Sequence, residues 1–174
     1  RLRSNGHPFT GMPIFCGGTD NRALCTVHRP IAYSAPMRRP SVFQKILTIC
    51  TGNICRSPLA EEMLRQLCLG KTPAVEVRSA GIGALQGAPA DETVQRIAQE
   101  HGLALDAHRG QQVTTALTRW ADLILVMEPH HLQYILRTDP TARGKTYLLG
   151  HWLKMDIGDP YRMDEGTYRS AHTT

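Results

Sequence analysis

No stretch of the 174-residue chain approaches the ~18 consecutive apolar residues of a membrane-spanning helix, so no insertion into a bilayer is expected. An uninterrupted apolar segment of the secretory-signal type is also missing near the N-terminus. Cysteine is scarce and odd in number: Cys16, Cys25, Cys50, Cys55 and Cys68, at irregular spacings. That pattern excludes a disulfide framework and suits a reducing cytoplasm. No His or Cys stands at zinc-ligand spacing from these residues, so neither a metal nor another cofactor is expected. Acidic residues are almost absent from residues 1–44, which hold six Arg against Asp20 alone, whereas residues 45–174 hold fourteen Lys and Arg against fourteen Asp and Glu. The formal charge of +5 thus belongs to the first segment, and the remainder is neutral. A global basic balance of this kind gives no case for binding nucleic acid.

Residues 1–44 are interrupted by Pro8, Pro13, Pro30, Pro36 and Pro40, and neither a two-residue nor a 3.6-residue period persists. They are read as an irregular or disordered extension, with Met37 a natural start and residues 1–36 of doubtful membership. From Lys45 the pattern changes. KILTIC (Lys45 to Cys50) reads as a strand, Ser57 to Leu69 as a helix, and AVEVRSAG (Ala74 to Gly81) as a second strand. Ala90 to His101 and Thr114 to Trp120 read as helices. DLILVM (Asp122 to Met127) is a continuous apolar run, as in a strand buried on both faces; Pro129 opens a helix with Leu132, Ile135 and Leu136 inward, and KTYLLG is the fourth strand. Strands alternating with helices imply an α/β domain with a parallel sheet over residues 45–174, and ligands on such sheets bind beyond the carboxyl ends of the strands.

Cys50 lies at such an end. The stretch ICTGNICRSP runs from Ile49 to Pro58 between the first strand and first helix and contains Cys-x5-Arg. Ser57 suits the helix N-cap and Pro58 its first turn. N–H groups at a helix N-terminus point outward under partial positive charge. Gly52 allows close backbone approach, and Asn53 tolerates the left-handed conformation. The N–H groups of Thr51, Gly52, Asn53, Ile54, Cys55, Arg56 and Ser57 are therefore expected to form a nest for a tetrahedral oxyanion. Arg56 adds a planar fork for two of its oxygens. Cys50, at the floor, is favoured as a thiolate nucleophile toward a bound phosphoryl group. The Ser57 hydroxyl can also donate to that thiolate.

The string resembles the low-molecular-weight protein tyrosine phosphatases, whose pattern Cys-x-Gly-Asn-x-Cys-Arg-Ser-Pro is met by Cys50, Gly52, Asn53, Cys55, Arg56, Ser57 and Pro58. SAGIGALQG, EHGLALDAHRGQQVT, DLILVMEPHH, ARGKTYLLGHW and DPYR extend the likeness over roughly Lys45 to Arg162, to the bacterial members linked to exopolysaccharide export. The resemblance implies a three-layer sandwich, with a four-stranded parallel sheet and helices on both faces. It implies a phosphocysteine mechanism in which Asp159 protonates the leaving phenolate and later activates water, with Asp156 as its rival. Tyr161 and Leu85 would wall the substrate ring, and Ser79 and His108 would brace the loop with Asn53 and Ser57. The implied partner is a phosphotyrosine protein, a bacterial tyrosine autokinase of polysaccharide assembly. Cys55 would form a disulfide with oxidised Cys50, or else pack under the loop. His130 and His131 are read as surface residues.

The family continues past the acid loop with a long helix, whereas MDEGTYRSAHTT shows no sustained amphipathic period. A truncated domain lacking that helix is expected, with apolar surface uncovered. Three other readings compete. Arginine phosphatases of this fold carry Thr where this chain has Ile54. Arsenate reductases need later cysteines, and none follows Cys68. A non-catalytic remnant would keep only the binding of phosphate or a partner.

Overall fold

The computed structural model describes residues 43–71, 73–151, 154, 157–161 and 163–173, with side chains as far as Ser170. The reading of residues 1–42, including Cys16, Cys25 and Met37, lies outside the described residues, as do Asp156 and Arg162.

Four strands, β1 (Lys45–Cys50), β2 (Glu76–Gly81), β3 (Leu123–Val126) and β4 (Thr146–Leu148), form one parallel sheet in the order β2-β1-β3-β4. Among the described residues five α-helices accompany them: α1 (Arg56–Leu67), α2 (Glu92–Glu100), α3 (Thr115–Trp120), α4 (Pro129–Thr138) and α5 (Glu165–Thr173). A 3-10 turn, Pro140–Lys145, leads into β4. Because side chains alternate along a strand, β1 and β3 each feed two cores. Leu47, Ile49, Ile124 and Val126 pack with Val113, Ala121 and Ile135 on the face that α3 and α4 cover. Ile46, Val77 and Leu125 meet Leu64 of α1 on the other. Beyond α1, Val94, Ile97 and Ala98 of α2 join Ile54, Leu59 and Tyr168 in a further cluster. The sandwich expected from the sequence is therefore present, and β1 occupies the interior position that brings Cys50 to its carboxyl edge.

Two local expectations are corrected. Helix α1 starts at Arg56 behind Cys55, with no side-chain cap, so Ser57 is not the N-cap. Its hydroxyl is engaged below the loop instead. Residues 165–173, expected to lack a helix, form α5. Tyr168 is its anchor, 6 % exposed in the cluster with α2. Arg96–Glu165 and Arg169–Glu100 bridge the helix to α2 on the exposed side, Arg169 also binds Glu165 within α5, and Tyr168 supplies the buried contact. Among the described residues no helix is long and apolar enough to cross a membrane.

Candidate active site

The loop between β1 and α1 turns its carbonyls away from its centre. The oxygens of Cys50, Thr51, Gly52 and Ile54 accept from the N–H groups of Ile82, Gly83, Leu85 and Asp91, at 2.8–3.0 Å. The Asn53 oxygen accepts from His108 Nε2 at 2.7 Å. A trans peptide points its N–H opposite to its C=O, so the N–H groups that follow these carbonyls face the interior. Asn53 holds φ 55°, the left-handed conformation expected of it, and directs its N–H to Cys50 Sγ at 3.3 Å. The return segment must lie almost in van der Waals contact. A Cβ on Gly81 would stand 2.4 Å from Thr51 O, and one on Gly110 would stand 2.4 Å from Leu85 O. Neither glycine was singled out by the sequence, because the constraint comes from the neighbouring backbone.

The expected bracing residues converge under the loop. Asn53 Oδ1 accepts from Gln111 N at 2.8 Å, which fixes the amide orientation. Its Nδ2 then donates to Ser57 Oγ and Ser79 Oγ, both at 2.9 Å. Since Ser57 Oγ accepts there, its own proton is available to Cys50 Sγ, 2.9 Å away. Ser79 Oγ donates in turn to Glu61 Oε2 at 2.6 Å. Thr48, buried in β1, donates to Ser57 O at 2.9 Å and ties the strand to the helix start.

Arg56 is 5 % exposed and lines the cavity over the loop. Its Nη1 binds Glu128 and donates to Ile157 O at 2.9 Å; its Nη2 meets Asp159 Oδ2 at 2.9 Å. Burial acts to raise the Glu128 carboxyl, but the hydrogen bond and charge of Arg56 hold it below the usual range. Arg56 Nε is buried without a hydrogen-bond partner, and no other described buried side-chain nitrogen or oxygen is left so. A cavity of about 210 Å³ above the loop is lined by Cys50, Thr51, Gly52, Ile54, Cys55, Arg56, Leu85, Asp159 and Tyr161. Leu85 and Tyr161 are exposed on its rim.

Cys55 is 4 % exposed, packed among Ile54, Leu59 and Val94. Burial, then the charge of Asp91, pushes its thiol upward.

His131 corrects the sequence reading of a surface residue: it is fully buried. Glu128 N donates to its Nδ1 at 3.1 Å, so the proton sits on Nε2, which donates to Thr51 Oγ1 at 2.9 Å. Burial, then the positive charge of His130 and Arg56, lowers its pKa to about 4. His130 is exposed, as read. The sequence reading missed both Glu128 and His131. The available signal was their position just past the carboxyl end of β3, the edge where Cys50 also lies. Glu128, His130 and His131 bring ligand-type atoms within 4.8 Å of one another. Arg56 already engages the Glu128 carboxylate, and both nitrogens of His131 are bonded, so this group does not read as a metal centre.

Residues 45–174 match the profile of the low molecular weight phosphotyrosine protein phosphatases. A putative low molecular weight protein-tyrosine-phosphatase of Klebsiella pneumoniae is 45 % identical over 131 residues, covering 75 % of this chain and 88 % of that protein. Among solved structures, the tyrosine phosphatase Wzb from Escherichia coli K30 in complex with sulphate is 51 % identical with a TM-score of 0.70, covering 75 % of this chain and 90 % of that one. The YwlE arginine phosphatase from Geobacillus stearothermophilus is 34 % identical with a TM-score of 0.69, over 75 % of this chain and 84 % of its own.

Proposed function

Because the chain belongs to the low-molecular-weight phosphotyrosine protein phosphatases and is therefore a phosphatase, we propose that it hydrolyses phosphotyrosine through a phosphocysteine on Cys50. The observation that carries this reading is Arg56 Nε, a buried donor without a partner on a residue that lines the same cavity as Cys50. Leaving such a donor unsatisfied costs about 1–3 kcal/mol or more, and a phosphoryl oxygen in the nest removes that penalty. Arg56 and the N–H groups of residues 51–57, of which those of 51–55 follow carbonyls turned outward, hold the dianion. Cys50 Sγ, receiving hydrogen bonds from Ser57 Oγ and Asn53 N, attacks phosphorus in line with the departing oxygen. Asp159 gives that oxygen its proton, then takes one from the water that cleaves the S–P bond. Leu85 and Tyr161 flank the phenyl ring.

The finer substrate, a tyrosine autokinase of exopolysaccharide synthesis, is part of this proposal, as is a cytoplasmic site of action. So is the thiol chemistry of Cys55. Hydrolysis of phosphoarginine is the second reading, and the similarity to YwlE keeps it in play. Ile54, 8 % exposed at the cavity, speaks for tyrosine, since the arginine phosphatases place a Thr hydroxyl there.

Turnover of phosphotyrosine and phosphoarginine by the purified chain separates the two. In Cys50→Ser, turnover should vanish while phosphate still binds, because only the sulfur attacks. Loss of phosphate binding with the fold intact would refute this division of roles.

A further inference from the structure

The turn after β3 grips the anion loop at both ends. Glu128 holds Arg56 at the far end, and His131 holds Thr51, the residue directly after the nucleophile. The hydrogen-bond directions at His131 are fixed by its neighbours. A backbone N–H can only donate, so the Glu128 N–H makes Nδ1 an acceptor. Nε2 therefore carries the proton, and Thr51 Oγ1 receives it. A hydroxyl that accepts in this way keeps its own hydrogen for another partner. Thr51 is exposed and lines the cavity with Cys50, Arg56 and Asp159.

From this arrangement we propose that His131 is a positioning residue, which orients the Thr51 side chain so that its hydroxyl serves as an additional hydrogen-bond donor to the bound phosphoryl group. The proposal rests on the loop being a phosphoryl site. It gives a buried histidine a task that neither the nucleophile nor the acid performs. The nest offers backbone donors, and Thr51, which lines the same cavity, adds a side-chain donor. His131 does not touch the substrate and acts only through Thr51.

Thr51→Val removes the hydroxyl at constant shape but leaves the buried His131 Nε2–H without its acceptor, so Tm is measured beside affinity to confirm the fold. His131→Asn keeps an oxygen close to the Nδ1 position for the Glu128 N–H and withdraws the donor from Thr51. Inorganic phosphate affinity by calorimetry and kcat/KM for an aryl phosphate are measured for both variants, for the double variant and for Thr51→Ser. Each of the first two should lose roughly tenfold, the scale of one hydrogen bond to a charged group. The double variant should also lose roughly tenfold rather than a hundredfold, since both changes break one link. Thr51→Ser should recover most of the loss. Nitrogen NMR of His131 should show the proton on Nε2. Full activity and affinity in Thr51→Val, a hundredfold loss in the double variant, or a proton on Nδ1 would each overturn the proposal. Phosphate affinity and the tautomer are read without turnover. A chain that bound phosphate but failed to hydrolyse phosphotyrosine would therefore sink the functional reading, while these two measurements still decide the role of His131.

Discussion

At the scale of single residues, Asp159 has two neighbours that bear on its task. Its Oδ2 pairs with Arg56, and its Oδ1 accepts from Tyr161 N at 3.2 Å. Asp159→Asn should slow aryl phosphates with basic leaving groups by roughly 10²- to 10⁴-fold and activated esters far less, because protonation matters most when the departing phenolate is basic. An equal loss across leaving groups would move the acid elsewhere, with Asp156 next in line. The same variant should bind inorganic phosphate more tightly than the wild type, since the Arg56 fork no longer has to release a carboxylate; unchanged affinity would show that the pair does not compete with the anion. Cys55 presents a contrast. To rescue an oxidised Cys50 it must leave an apolar cluster that disfavours its thiolate. After peroxide and then dithiothreitol, the wild type should regain more activity than Cys55→Ala, in which Cys50 proceeds to irreversible acids. Equal recovery would leave Cys55 as packing alone.

At the scale of elements, α5 shows what the sequence could not display. Its anchor is one aromatic side chain, Tyr168, and its ties include Arg96 and Glu100, about seventy positions away. A helix held by partners so distant carries no local period to read. Tyr168→Ala should cost about 3 kcal/mol and lower Tm by roughly 10 °C; a change below ~1 °C would mean that α5 contributes little to the core. Elements with apolar periodicity were legible nearly to the residue: KILTIC is β1, and Val94, Ile97 and Ala98 are the inward face of α2. Within the loop, the left-handed Asn53 and the converging Ser79 and His108 were also legible, the latter two through family resemblance rather than spacing. His131 was not, because a histidine in the first turn of a helix beside an exposed His130 gives no sign of which one turns inward. The start of α1 was misplaced because Ser57, a good cap by type, is claimed by Asn53 and Cys50.

At the scale of the whole molecule, a buried histidine and a set of paired carboxylates should shape the pH dependence of stability. His131 has a folded pKa lowered to about 4, with His130, Arg56, Glu128 and Asp159 as the charged or titratable groups facing it. A lowered folded value means that the unfolded chain binds the extra proton first, so the contribution of His131 is complete above about 6.5 and is lost as pH falls toward about 4. Glu165, lowered to about 2 by the hydrogen bonds and charges of Arg96 and Arg169, follows in a second window from about 4.5 downward. Denaturant midpoints measured against pH should fall through both windows, and Glu165→Gln should only soften the lower one, which Glu128, Glu100 and Asp139, also held below their usual range, share. A single step at low pH would contradict the buried neutral histidine. The reach of Arg56 to Ile157 has a consequence in time. The two residues lie 101 positions apart in the chain. At ~5–20 residues per second of synthesis, the ribosome adds the later one on the order of 5–20 s after the earlier. During that interval the nascent polypeptide already carries Cys50 and Arg56 but lacks Asp159. With Asp159 as the proposed acid, a growing chain should stay slow on aryl phosphates with basic leaving groups until residue 159 emerges, and the onset of that activity should report the arrival of this late segment rather than the synthesis of the motif.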